Sequence, residues 1–310
     1  MSPEARQHYE VNPPAALLEV EQTRARWFSG LIELTKPRLS FLSVITALVA
    51  YLAAQPGRDF WNLFNFLCGT ALSAGGAAAL NQWLERHTDA VMKRTRDRPL
   101  PTGLVTPAHA FGWGLLLSSV GVSQLWLGTN SLAGMLGLGT IVSYVCIYTP
   151  LKRRSRWATE LGAVSGALPP LIGWAAAEGS ISTLGWILFG VLFFWQIPHF
   201  MAIAWVYRKD YAAVSFPMLS VTDPDGGRVA LWSMINAILL IAVSLLPTLL
   251  GFTSIIYLMA AAALGLWFLL SAGRFMKEAG RDSAARRLFL TTIAYLPLVL
   301  AILVLDRWLA

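Results

Sequence analysis

Apolar stretches long enough to cross a bilayer recur along this chain, and short connections carrying most of its charge separate them. A spanning helix needs about 20 mostly apolar residues. Nine stretches approach that length: residues 39–56, 60–82, 108–127, 131–150, 160–177, 181–205, 229–250, 251–272 and 288–308. Glu160 stands at the start of the fifth, and Asp306 and Arg307 at the end of the ninth. The pattern predicts an all-α integral membrane protein with nine transmembrane helices in residues 39–310, preceded by an N-terminal segment, residues 1–38. Within that segment, residues 14–34 mix apolar and charged positions as an interfacial helix does, and we read them as a surface lead-in to the first span rather than a substrate lid. The segment is otherwise mostly polar and holds Pro13, Pro14 and Pro37, unlike the apolar core of a cleavable signal peptide.

Composition excludes the soluble alternative. Of 310 residues, 56% are hydrophobic and 13% charged, where soluble domains carry about 25% charged residues; the mean hydropathy is +0.57. Cys68 and Cys146 sit inside apolar runs without CxxC spacing, as inert thiols do, so neither a disulfide framework nor a zinc site is indicated. The net charge of +7 would suggest nucleic acid in a soluble protein, but topology accounts for it. When the nine spans alternate in direction, 22 of the 24 Lys and Arg fall on one set of connections, leaving Arg58 and Arg307 on the other. Positive charge is retained on the cytoplasmic side, which predicts a cytoplasmic N-terminus, an external C-terminus and no nucleic-acid partner. The opposite connections, such as Gly128–Ser131 and Leu250–Gly251, are too short for an external domain.

The candidate chemistry follows the second span. Asn81, Glu85 and Asp89 are four residues apart, so each helical step turns only about 40° and rises about 6 Å. The three oxygen-bearing side chains therefore share one helix face. Such hard ligands suit Mg²⁺, which keeps several waters and bridges to substrate phosphates. The loop that follows carries Lys93, Arg94, Arg96 and Arg98 before Pro99 and Pro101 stop the helix, and Arg matches phosphate oxygens through its planar fork. A helix end with merely solvated charges is the simpler alternative, but ionisable groups adjoining a span are costly unless they face water or a cavity. No Gly-rich phosphate loop is present, which argues against an ATP-driven pump.

The NxxxExxxD spacing followed by Met92-Lys-Arg-Thr-Arg-Asp-Arg-Pro-Leu-Pro101 resembles the first Asp-rich motif, and its RT-x-x-RPL continuation, of the UbiA superfamily of intramembrane prenyltransferases. That resemblance implies a nine-helix membrane fold with a cytoplasm-facing site that transfers a prenyl group from a Mg²⁺-bound diphosphate. Glu85 stands where many members have Asp; His87 and Asp97 also depart from the usual Asp and Asn and receive no role. Thr35-Lys36-Pro37-Arg38, Tyr148-Thr-Pro-Leu-Lys152-Arg153 and Trp195-Gln-Ile-Pro-His199-Phe200, with Lys209-Asp210-Tyr211 and Phe216-Pro217-Met218 after them, resemble the branch that farnesylates protohaem IX. Branches acting on aromatic acceptors usually carry a second Asp-rich motif near span six, where this chain has WQIPHF and a single Asp210. The resemblance covers most of residues 35–220.

The resemblance implies farnesyl diphosphate and haem B as substrates, Mg²⁺ as cofactor, the cell inner membrane as location, and a haem A synthase or terminal oxidase as downstream assembly partner. Metal-assisted loss of diphosphate would give an allylic cation, a haem vinyl group would attack it, and water would capture the porphyrin-stabilised cation. Asn81, Glu85 and Asp89 are then the metal ligands, direct or through water. Arg94, Arg98 and Lys152 receive the diphosphate, with Lys36 behind them. Tyr148 either orients a diphosphate oxygen or anchors the membrane interface. His199 is the haem-side candidate, as axial ligand, propionate partner or proton donor; a hydrogen bond to a neighbouring helix is its structural alternative. Asp210 completes a second metal site, faces a helix dipole, or is plain loop. A related enzyme with a quinone-precursor acceptor is the nearest alternative. A transporter would place charges at mid-membrane depth, often between paired broken helices, and the acidic motif here lies at one mouth.

Overall fold

The computed structural model describes residues 15–55, 57 and 59–309, with side chains described from Arg24 onward; residues 1–14 of the N-terminal segment and Arg58 lie outside them. All described regular structure is helical. α1 (Ala15–Leu34) leads into α2 (Pro37–Ala53), and long helices follow as α3 (Phe60–Val91) and α4 (Pro107–Gly128). The next apolar stretch is one continuous rod made of α5 (Ser131–Ile141), a π-helical segment Val142–Tyr148 and the single turn α6 (Thr149–Leu151). Then come α7 (Ala158–Glu178), α8 (Thr183–Val206), the short α9 (Arg208–Ala213) and α10 (Leu219–Thr222), and finally α11 (Gly227–Leu249), α12 (Ile255–Met276) and α13 (Arg281–Leu309).

Each of the nine apolar stretches is thus helical. Seven of the helices are long and apolar enough to cross a membrane, and the pair Arg24–Leu34 and Pro37–Ala53, bent by 41°, passes the same test together. α7 does not: Ser165, Pro169, Pro170 and its glycines dilute its apolarity, and most of its residues are buried among other helices rather than turned to lipid. Polar satisfaction inside protein lets such a helix dispense with a uniformly apolar surface.

Successive long helices pack side by side, and α13 returns against α2, so α2, α3, α4, α5, α7, α8, α11, α12 and α13 close a ring. α2 meets α7 and α8 meets α13 across it. The tightest seam joins α3 to α4, where Gly69, Ser73 and Gly76 face Gly114, Ser118 and Gly121; an added Cβ at Gly121 would lie 2.8 Å from the Gly69 carbonyl. Small residues of this kind let membrane helices approach to backbone contact. At the far end the ring is latched by α13: Arg307 Nε donates to the Ala53 carbonyl (2.6 Å), Trp308 Nε1 to the Leu52 carbonyl (2.9 Å), and Asp306 accepts from Ser254 N (2.7 Å).

At the opposite, basic end, the break between α1 and α2 turns on Lys36, held at φ 48° in the left-handed region. That conformation is costly for a residue with a Cβ and is unusual before proline. α3 holds it there: Gln82 Nε2 donates to the Leu34 carbonyl (2.9 Å) and Lys36 Nζ to Asn81 Oδ1 (2.8 Å).

Candidate active site

The last turns of α3 run past the apolar stretch into the mouth of the ring and carry Asn81, Glu85 and Asp89, with relative exposures of 1%, 4% and 1%. Each meets a cation from a different element. Lys36, ahead of α2, donates to Asn81 Oδ1 at 2.8 Å. Lys152, just after α6, lies 3.0 Å from Glu85 Oε1, and Arg98, in the loop after α3, lies 2.7 Å from Asp89 Oδ2. The result is a ladder of three oxygen-bearing side chains and three cations, assembled from segments distant in sequence. Charges buried at this depth persist only when paired and hydrogen-bonded.

Neighbouring groups fix each rung. Asn81 Nδ2 donates to Thr149 Oγ1 (2.9 Å), which donates onward to the Tyr144 carbonyl (2.8 Å). Thr95 Oγ1 donates to the Asp89 carbonyl (2.9 Å), and Lys152 Nζ lies 5.2 Å from the centre of the Phe216 ring. Burial and then the Arg98 charge pull the Lys36 ammonium down to about 7, against the opposite pull of Glu85. Burial also acts to lower Lys152, but Glu85, followed by Tyr148 and Tyr211, outweighs it and holds this ammonium above its ordinary value.

Asp89 Oδ1 is buried and has no hydrogen-bond partner. A carboxylate oxygen left this way costs free energy, and a cation at the ladder would satisfy it. Asn81, Glu85 and Asp89 present the hard oxygen donors that a divalent ion such as Mg²⁺ takes. No cluster of three His, Cys, Asp or Glu side chains occurs among the described residues, so an ion held by this ladder would draw its remaining ligands from water and phosphate oxygens.

The other residues singled out in the sequence are placed differently. Arg94 is exposed, with its guanidinium 5.7 Å from the Tyr207 ring centre, and makes no ion pair among the described residues. Tyr148 stacks on Tyr144 with ring centres 5.6 Å apart, seated against Gly162, where an added Cβ would lie 2.7 Å from Tyr148 Cε2. His199 lies in an aromatic niche between α8 and α13, its ring 4.9 Å from Trp195 and 5.0 Å from Phe289, with Nδ1 2.7 Å from Thr292 Oγ1. This contact is the helix-to-helix hydrogen bond foreseen as its structural alternative. Asp210 is half-buried on α9, and its side chain joins neither the ladder nor any ion pair among the described residues. Sequence reasoning missed Thr149, Gln82, Thr95 and Phe216. Thr149 was within reach, since it sits between Tyr148 and Lys152 in a stretch already singled out.

A sequence profile described as the UbiA prenyltransferase family matches residues 43–293. Over 280 residues the chain is 59% identical to a protein of Opitutus terrae named protoheme IX farnesyltransferase, covering 90% of this chain and 95% of that one. Among solved structures, a digeranylgeranylglyceryl phosphate synthase is similar with a TM-score of 0.78 at 15% identity, covering 92% of this chain and 99% of that one. A UbiA homolog from Archaeoglobus fulgidus bound to GPP and Mg²⁺ is similar with a TM-score of 0.60 at 11% identity, covering 88% and 99%. At such identities the two structures share the fold alone. By its sequence and its fold together, the chain belongs to the UbiA prenyltransferase family, among the protohaem IX farnesyltransferases.

Proposed function

We propose that the ladder at the basic end carries a farnesyl transfer from farnesyl diphosphate to a vinyl group of haem B, with addition of water, to form haem O on the way to the haems of terminal oxidases. The chain is a multi-pass membrane enzyme of the prenyltransferase class. The observation that carries the site assignment is the convergence of Lys36, Lys152 and Arg98 on Asn81, Glu85 and Asp89, with Asp89 Oδ1 left over. The name of the Opitutus terrae relative supports the acceptor, and the Mg²⁺ and GPP bound by the Archaeoglobus fulgidus homolog support the metal and the diphosphate.

Asn81, Glu85 and Asp89 would hold Mg²⁺, directly or through water. When bound, the ion supplies positive charge that stabilises the departing diphosphate. Lys152 and Arg98, held at the carboxylates before substrate arrives, are placed to receive phosphate oxygens, with Lys36 behind them. Preorganised positive charge where negative charge develops is the largest catalytic term in most enzymes. The carbon–oxygen bond of farnesyl diphosphate breaks with its electron pair going to the diphosphate. The vinyl π electrons of haem B form the new carbon–carbon bond, water adds to the porphyrin-stabilised cation, and a proton leaves to solvent. No Ser or Cys nucleophile is needed.

Around this centre, Arg94 with Tyr207 and Tyr148 with Tyr144 flank the diphosphate approach. His199, among flat aromatic rings, is the haem-side residue, and Asp210 would complete a second metal site if one forms beside the ladder. Residues 39–310 form one nine-span domain in the cell inner membrane with the ladder facing the cytoplasm, and residues 1–38 lead into it. The product passes to a haem A synthase or terminal oxidase partner.

The test is mass-resolved chromatography of haems after the purified protein is incubated with haem B, farnesyl diphosphate and Mg²⁺, beside an EDTA-treated control. A hydroxyethylfarnesyl haem that vanishes on chelation is the expected result. Folded protein that leaves haem B unchanged but prenylates a quinone precursor would overturn the acceptor.

A further inference from the structure

A second cavity, outside the ladder and largely apolar with a few charged groups, opens on the flank of the ring at its basic end. It has a volume of about 240 Å³ and lies where the start of α7 meets the start of α11, with Leu219 of α10 among its lining residues. Arg156 and Arg228, both exposed, stand at its rim, and neither forms an ion pair among the described residues. Arg156 stacks on Trp157 at 5.3 Å, and Trp157 meets Trp232 edge-on with ring centres 6.1 Å apart. Trp232 Nε1 donates to Glu160 Oε1 at 2.7 Å, whereas Glu160 Oε2 is buried with no partner. Leu219 and Leu231 complete the apolar side.

Each feature restricts the occupant. Two free guanidinium groups at a membrane end fit a phosphate, which they bind through several parallel N–H donors. An unpartnered carboxylate oxygen in the same cavity disfavours a bare anion and is matched most strongly by a donor with positive charge. A quaternary ammonium carries no N–H and leaves Oε2 unsatisfied; a primary ammonium fits. Tryptophans at this level anchor headgroups, and the two leucines offer acyl chains a path along the helix flank. The geometry points to a phosphoethanolamine headgroup site, in which a bilayer lipid sets its phosphate on Arg156 and Arg228 and its ammonium on Glu160.

The test is native mass spectrometry of the full chain released from detergent in an equimolar mixture of dioleoyl phosphatidylethanolamine, phosphatidylcholine and phosphatidylglycerol. The wild-type protein is expected to retain one phosphatidylethanolamine about fivefold over phosphatidylcholine, the effect of one charge-assisted contact at a partly solvated site. Glu160→Gln keeps an acceptor for Trp232 and is expected to abolish that preference without altering retention of phosphatidylglycerol. Arg156→Ala with Arg228→Ala lowers retention of all three lipids. Equal retention of phosphatidylethanolamine and phosphatidylcholine by wild-type protein, or a preference for phosphatidylglycerol, would overturn the proposal. Because the readout is lipid retention by protein of unchanged unfolding temperature, it is independent of prenyl transfer.

Discussion

At the residue scale the ladder makes opposite demands on stability and on activity. Lys152 and Glu85 are both buried and are bonded to each other at 3.0 Å. Removing one partner of a buried pair strands the other charge at a cost of about 3 kcal/mol. Glu85→Gln and Lys152→Gln should each lower the thermal unfolding temperature in detergent, while the double variant should recover part of the loss, because two neutral amides strand nothing. Activity should not recover with it. Glu85→Gln and Asp89→Asn are each expected to reduce turnover by about 10²-fold or more, the size of losing one charge-stabilising group. If the double variant is no more stable than either single one, the pair is not the stabilising unit described here. Thr149 offers a milder probe, since its hydroxyl carries no charge and acts on the ladder through Asn81, while donating to the Tyr144 carbonyl behind it. Thr149→Val should lower kcat by about tenfold, the worth of one buried hydrogen bond, and Thr149→Ser should restore it; an unchanged kcat in the valine variant would remove Thr149 from the positioning network.

At the element scale, what was legible in the sequence depended on whether the governing physics was local. The length of an apolar stretch is a local property, so all nine helices fall where hydropathy places them. The second apolar stretch ends at residue 82, yet α3 continues to Val91, and the shared face of Asn81, Glu85 and Asp89 is legible because it needs only helical spacing. The π-helical segment was not. Its cause is Pro150, which has no N–H for the carbonyl four residues back and whose ring crowds it; the backbone widens so that Thr149 N reaches the Tyr144 carbonyl, and Thr149 Oγ1 joins the same acceptor. The left-handed turn at Lys36 and the pairing of each cation with its oxygen were beyond reach for another reason: they arise only when α2, α3 and α6 meet. The α3–α4 seam connects these levels. Gly121→Val would force side-chain carbons into Ser73 and spread the seam, and overpacking of this kind costs about 1–3 kcal/mol. A matching fall in unfolding temperature is expected, whereas Gly112→Val, at a position with open space, should leave it unchanged.

At the scale of the whole molecule, the ring has two chemically different ends. One holds the ladder, the free arginines and nearly all the basic connections; the other is closed by hydrogen bonds from the end of α13 to α2 and the turn before α12. A diphosphate can be recruited only at the end where cations gather, and water-soluble diphosphates are made in the cytoplasm, so topology and chemistry must agree. In the proposed topology the basic connections stay inside because Lys and Arg resist translocation, and the ladder then faces the side on which its substrate is made. Cysteine labelling tests this directly in a Cys68→Ser, Cys146→Ser background. Glu278→Cys, exposed between α12 and α13 at the basic end, should react with a membrane-impermeant maleimide only after the cells are permeabilised. Ser131→Cys, exposed at the start of α5 on the latched end, should react in intact spheroplasts. The reverse pattern would turn the ladder away from the cytoplasm and leave its cations facing a compartment without diphosphate, an orientation in which the proposed reaction cannot run.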